Sequence, residues 1–327
     1  MMHPMDALRD LFDDTSFQAA VAYAGIGFVV VTLVASTRLW GRRPPLAGFV
    51  FVAATLAALG GLGPAKSVGG LPGELFVGLG ILAATGIALD WFRPPIGVVA
   101  LALLPGAWVV GAAVTDDGPG WVRPLVVVVT ALGGALASDL DRYQQRRGFG
   151  PAMLAIAVVG LYATVPDTEH ARVAIGAALP LLFFGIPTPV AMLGTGGTAA
   201  SAALVMWIAS IDGRARPAAI IGTAAAFGLM FAEPIGRRLF SGLRRKVRRK
   251  QADLASHLVV VADVLLFHAV LAAYASRIAG FSRTTLAASL LLVPMAAFAI
   301  VMSGAIPPPP RRSKRRRRRE HGIVLNR

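Results

Sequence analysis

The sequence predicts an all-α fold: a polytopic transmembrane helix bundle of about eleven spans, N-terminus outside and C-terminus inside. Three observations lead there. Of the 327 residues, 56% are apolar and 15% charged, whereas an ordinary soluble domain carries about 25% charged residues. The apolar residues fall in continuous stretches rather than in the alternating pattern of a membrane barrel. The positive charge gathers in every second loop and ends in a run from Arg311 to Arg319 broken only by Ser313.

A helix needs about 20 apolar residues to cross a hydrocarbon core of ~30 Å. Windows of that size place spans near 17–36, 46–62, 73–90, 96–114, 124–140, 151–165, 173–191, 198–211, 218–235, 257–276 and 284–304. Pro180, Pro187 and Pro189 interrupt the seventh, and several others are short, so the count falls at about ten to twelve. Residues 1–16 are acidic and lack the basic start of a cleavable leader, so 17–36 is expected to remain as an uncleaved first span. Residues 17–304 make up the bundle. Residues 305–327 form a cytoplasmic tail, in which Pro307 to Pro310 makes a stiff spacer of about 12 Å ahead of the arginines.

Orientation follows from the bias of lysine and arginine toward the cytoplasmic side. The inner loops hold Arg38, Arg42 and Arg43, then Arg93, then Arg142, Arg146 and Arg147. Eight more lie between Arg237 and Lys250 and nine in the tail, which places 24 of the 32 basic residues inside. The outer segments carry Asp6, Asp10, Asp13, Asp14, Asp116, Asp117, Asp167, Glu169 and Asp212. Arg214 and Arg216, in an outer loop, are the exception.

An internal echo runs through the chain. Asp117-Gly118 with Arg123-Pro124 enters one span, and Asp212-Gly213 with Arg216-Pro217 enters another four spans later. One reading is a pair of parallel four-helix repeats, 96–191 and 198–304, as many transporters contain. The other is convergence on common turn chemistry.

Charge inside a bilayer costs ~2.5–3.5 kcal/mol at a helix centre, so ionisable groups within spans are the first candidates for chemistry. Asp263 and His268 stand deep in one span, pointing about 140° apart at 100° per residue. They read as a proton or substrate relay, or as interhelical hydrogen bonds worth ~0.6 kcal/mol each. Acid–arginine pairs close three predicted spans: Asp90 with Arg93, Asp139 with Arg142, and Glu233 with Arg237. Their spacing puts each pair on one helical face. They are local ion pairs near the headgroups, or three acids at one level able to hold a metal with a lipid phosphate. Glu233 is singled out because Pro234 disturbs the helix just after it.

Two further segments offer ligand chemistry. Leu193-Gly-Thr-Gly-Gly-Thr198 precedes a helical run, where backbone N–H groups can cradle a phosphate, but the Gly-Lys-Ser/Thr ending of a P-loop is missing. A flexible turn is the simpler account. Pro166-Asp-Thr-Glu-His170 holds two carboxylates and an imidazole, either a small metal site or a turn in which Asp167 caps the next helix.

Eleven spans in this orientation resemble the polyprenyl-phosphate hexose-1-phosphate transferases, in topology alone. Asp116-Asp117 falls on the outer side, and the family's asparagine-bearing loop has no counterpart, because Asn326 is the only asparagine. No clustered histidines appear, so the chain is not assigned to that family.

The absence of cysteine excludes disulfides and thiolate sites. More than half of the +15 net charge sits in the tail beside the membrane, which argues for anionic lipids rather than nucleic acid as its partner. Together these features predict a multi-pass protein of a bacterial plasma membrane, without a cofactor and more a non-enzyme than an enzyme. A transporter or lipid flippase is the favoured function. A non-catalytic subunit or scaffold of an envelope-assembly complex, with a membrane protein partner, is the alternative. A membrane transferase acting on a lipid phosphate comes third.

Overall fold

In a computed structural model of the chain, the described residues are 9–37, 45–62, 70–92, 94–114, 120–144, 154–155, 158, 161–162, 168–185 and 191–212. All regular structure among them is α-helical. Seven helices can be followed: α1 Thr15–Ser36, α2 Ala47–Leu59, α3 Gly73–Phe92, α4 Ile96–Ala112, α5 Val122–Gln144, α6 Glu169–Gly185 and α7 Thr195–Asp212. Each falls on an apolar segment expected from sequence. Buried Leu154, Ala155, Val158 and Leu161 have the spacing of one helical face within the 151–165 segment.

Local chemistry explains the ends. Asp14 caps α1, its carboxylate accepting from the N–H groups of Ser16 (2.8 Å) and Phe17 (3.0 Å). At the other end, the hydroxyls of Ser36 and Thr37 donate to the carbonyls of Leu33 and Val34 in the last turn, the latter also accepting the Thr37 N–H. α2 stops at a Schellman turn: Gly61 has φ +73°, its N–H bonds to Ala58, and that of Leu62 bonds to Ala57. Pro105 inside α4 removes one ladder bond and stands on the exposed face.

Contacts at the helix ends fix the directions in which the helices run. Ser16 of α1 meets Glu169 of α6, so these two helices start at the same end and run parallel. The edge-to-face contact of His170 with Trp207 brings the last turns of α7 to that end as well. At the opposite end the Ala47 N–H, opening α2, donates to the Met192 carbonyl just before α7. There the end of α3 also meets the start of α7, through Asp90 and Thr195.

α7 is the hub. It packs against α2, α3, α4, α5 and α6, and every residue from Thr195 to Ser210 is buried. A helix apolar on all sides belongs inside a bundle. Where α7 begins, its walls on α2 and α3 are glycine. A Cβ added to Gly86 of α3 would lie 2.0 Å from Gly196 Cα, and one on Gly48 of α2 would lie 2.4 Å from the Gly197 carbonyl carbon. Backbone therefore touches backbone on two sides of the hub.

The outside is the reverse of a soluble protein. Ile26, Val29, Val30 and Leu33 of α1, Phe76 and Val77 of α3, and Leu101 and Trp108 of α4 are all exposed. Trp91 and Phe92, closing α3, are 75% and 83% exposed. Glycine at close helix contacts together with large apolar side chains left exposed is what helices packed in lipid show. Two helices, α1 with 22 residues and α3 with 20, are long and apolar enough to cross a membrane. At ~1.5 Å per residue they measure about 33 Å and 30 Å. α2, with 13 residues, reaches only about 20 Å and is mostly buried.

Candidate functional site

Polar side chains collect at the two ends of α7 and leave its length apolar. The first group is a cap. The carboxylate of Asp90 accepts the Thr195 N–H with both oxygens, at 3.2 Å and 3.0 Å, and the Thr195 hydroxyl at 2.5 Å. A negative group here satisfies an orphan donor and complements the positive end of the helix dipole. Gly194, with φ +73°, makes the turn that brings Thr195 onto Asp90. A Cβ at Gly194 would sit 2.5 Å from the Pro45 carbonyl, so glycine is required there for space as well as for conformation.

This arrangement revises the reading of the glycine-rich segment. Only Gly194 is a turn; Gly196 and Gly197 lie in the first turn of α7, so the helix begins three residues before the predicted span. The glycines serve close packing, and the anion at the helix start is the protein's own Asp90. Thr198 and Ser201 return their hydroxyls to the carbonyls of Gly194 and Gly197, four residues back.

The second group is a clasp between α1 and α6. Asp14, while capping α1, also accepts from Nη1 of Arg172 at 3.4 Å. Ser16 donates its hydroxyl to Glu169 at 3.0 Å. Arg172 Nε is buried and has no hydrogen-bond partner, and the same holds for Trp207 Nε1. Thr168 supplies the cap of α6, its hydroxyl accepting the Ala171 N–H at 3.4 Å, so this helix is capped one residue after the predicted Asp167. Glu169 and His170 face different neighbours, Ser16 and Trp207, rather than a common point. Among the described residues no group of three acids or histidines is placed to hold a metal ion.

Among the span-buried and acid–arginine candidates, Asp90 is the one whose side chain is described. Its partner Thr195 lies 105 residues away, which no local pattern signals. Asp139 and Arg142 lie in α5, their side chains outside the described set. Arg93, Glu233, Arg237, Asp263 and His268 lie outside the described residues, as do the basic tail and all of the second proposed repeat beyond Asp212. Sequence reasoning missed Arg172 and Thr195 as polar anchors. Asp14 ahead of Thr15-Ser16 does carry a legible capping signal.

The fold and its polar ends thus define an all-helical protein with two helices suited to crossing a membrane. The chain matches no family model, and no curated protein matches it.

Proposed function

We propose that the chain is a multi-pass protein of a bacterial plasma membrane and acts as a transporter or lipid flippase. One observation carries the membrane reading: the start of the buried hub meets α2 and α3 glycine to glycine, while Ile26, Val30, Leu33, Phe76, Leu101 and Trp108 leave large apolar side chains exposed on the outer helices. In this reading all eleven apolar segments span, the Asp14 end of the bundle is outside, and the Asp90 end is inside. The aromatic pair Trp91 and Phe92 then sits at the inner membrane boundary, where amphipathic rings are enriched.

The packed helices serve as a fixed support in this scheme, since backbone-to-backbone seams resist sliding. Movement and substrate contact are assigned to the later spans, which carry Asp263, His268 and Glu233. The test is reconstitution of the purified chain into vesicles, following proton flux and the crossing of fluorescent phosphatidylglycerol. Asp263→Asn and His268→Ala should abolish the activity while the protein still inserts. Activity unchanged in both variants would overturn the relay.

The scaffold reading is favoured by a different observation. Between Thr195 and Ile211 the hub has no charged residue, so no polar path follows it. A scaffold should co-purify with a membrane partner in mild detergent and move neither probe. The transferase reading would require Asp90 to exchange its bonds to Thr195 for a metal ion.

A further inference from the structure

The hairpin of α6 and α7 is charge-inverted. Arg172 lies in the first turn of α6, and Arg214 and Arg216 follow α7, whereas residues 173–213 contain no lysine or arginine. In the multi-pass reading, both ends of this hairpin that carry arginine are outside and its uncharged tip is inside. The positive-inside bias counts basic residues within about 15–20 positions of each span end, so taken alone it orients this hairpin the wrong way round. The helix dipole adds to the problem, because a cation in the first turn of a helix is disfavoured.

The structure shows what answers that conflict. Arg172 is turned onto Asp14, across 158 residues, and its side chain is only 31% exposed. Its Nε is buried, so the guanidinium is drawn into the seam between helices instead of reaching for water. Glu169, one turn before Arg172, is tied to Ser16 on the same helix α1. Gly176 of α6 lets the backbones close up, since a Cβ there would meet the Phe17 carbonyl oxygen at 2.7 Å. Two parallel helices with their positive dipole ends side by side thus share two acids and one arginine. The charges that face Arg172 come from α1 and from its own helix.

We propose that the α6–α7 hairpin inserts against its own flanking charges and is held in that orientation by the clasp that α1 supplies. Asp14 is the positioning residue: it neutralises the arginine that otherwise draws the start of α6 inward. The device makes the orientation of the hub depend on a helix made much earlier in the chain. This inference rests on the multi-pass reading and adds to it a specific dependence of one hairpin on one carboxylate.

The test uses the absence of cysteine, which gives single-cysteine reporters no background. Thr164→Cys reports the outer boundary of the 151–165 segment before α6, and Thr188→Cys the tip between α6 and α7, past the end of α6 at Gly185. An impermeant maleimide is added to intact cells and then to opened membranes, using the full chain throughout. In the parent, Thr164→Cys should label from outside and Thr188→Cys only after opening. Adding Asp14→Asn should lower outside labelling at 164 and raise it at 188, each by roughly twofold or more. Adding Arg172→Gln to Asp14→Asn should restore the parental pattern, because the misplaced cation is gone. The opposite shifts at the two reporters distinguish inversion from a merely structural loss, which would not exchange their labelling patterns. Parental labelling unchanged by Asp14→Asn, or disturbed without rescue by the double variant, would overturn the clasp alone. Equal labelling of the two reporters in the parent would overturn the multi-pass reading and this inference with it.

Discussion

Gly86 and Gly80 stand six residues apart on α3 and occupy opposite physical situations. A Cβ on Gly86 meets the Gly196 backbone at 2.0 Å, whereas one on Gly80 meets nothing within 4 Å. Backbone cannot rotate away as a side chain can, so Gly86→Ala must push α3 and α7 apart. Overpacking of this kind costs about 1–3 kcal/mol or more. Gly80→Ala should instead stabilise by ~0.5–1 kcal/mol, through helix propensity alone. Thermal unfolding of the two variants in detergent checks the pair; equal midpoints would contradict the hub contact. Sequence reasoning identified the glycine-rich stretch at 194–198 as unusual, but not as a packing surface. A glycine needed for contact and a glycine needed for a turn look alike until the opposing glycine, here Gly48 or Gly86, is known.

At the scale of an element, the start of α7 shows how a sequence signal is split by distance. The legible half was Asp90, an acid at the end of an apolar span. The illegible half was Thr195, since a cap supplied from another helix obeys no fixed spacing. The cap makes a graded prediction. Asp90→Asn keeps an oxygen acceptor for Thr195 and loses only the charge, which is worth about 0.3–1 kcal/mol at a helix end. Asp90→Ala removes the acceptor and should cost ~0.5–2 kcal/mol. Hydrogen exchange at the first amides of α7 distinguishes them: protection retained in Asp90→Asn, lost in Asp90→Ala. Protection lost equally in both would show that the charge alone holds the end. Boundaries varied: α6, Glu169–Gly185, starts four residues before and ends six before the predicted 173–191, whereas ends set by local caps lie closer. α1 and α3 start within two residues of the predicted spans. α2 came out shorter, because the Schellman turn at Gly61 ends it before the apolar run does.

Across the whole molecule, composition carried the fold class and the distribution of residues carried its orientation toward solvent. Periodicity was a poor guide here. A helix buried on all sides and a helix facing lipid are both apolar all round, so the pattern could not say which of them would be the hub. Packing decides it: glycine meets glycine where α7 begins, while large apolar side chains such as Leu101 and Trp108 stay exposed on α4. The exposed face therefore makes its own prediction. Leu101 is 67% exposed on α4, and in water arginine there would be tolerated. In lipid, Leu101→Arg carries ~2.5–3.5 kcal/mol of insertion cost at the helix centre. The variant should lose most of its membrane-fraction yield relative to Leu101→Phe, measured by carbonate-resistant pelleting. Equal yields would place that face against water.

The central position of α7 has a consequence in time. Its walls on α2 and α3 belong to the first 92 residues, and α7 itself starts at Thr195. At about 5–20 residues per second, synthesis leaves an interval of roughly 5–20 s before the hub exists. Throughout that interval the nascent chain presents Gly48 and Gly86 on an unfilled slot, shaped at that end for a helix that begins with glycine. Any other glycine-rich helix nearby during those seconds competes for the same slot.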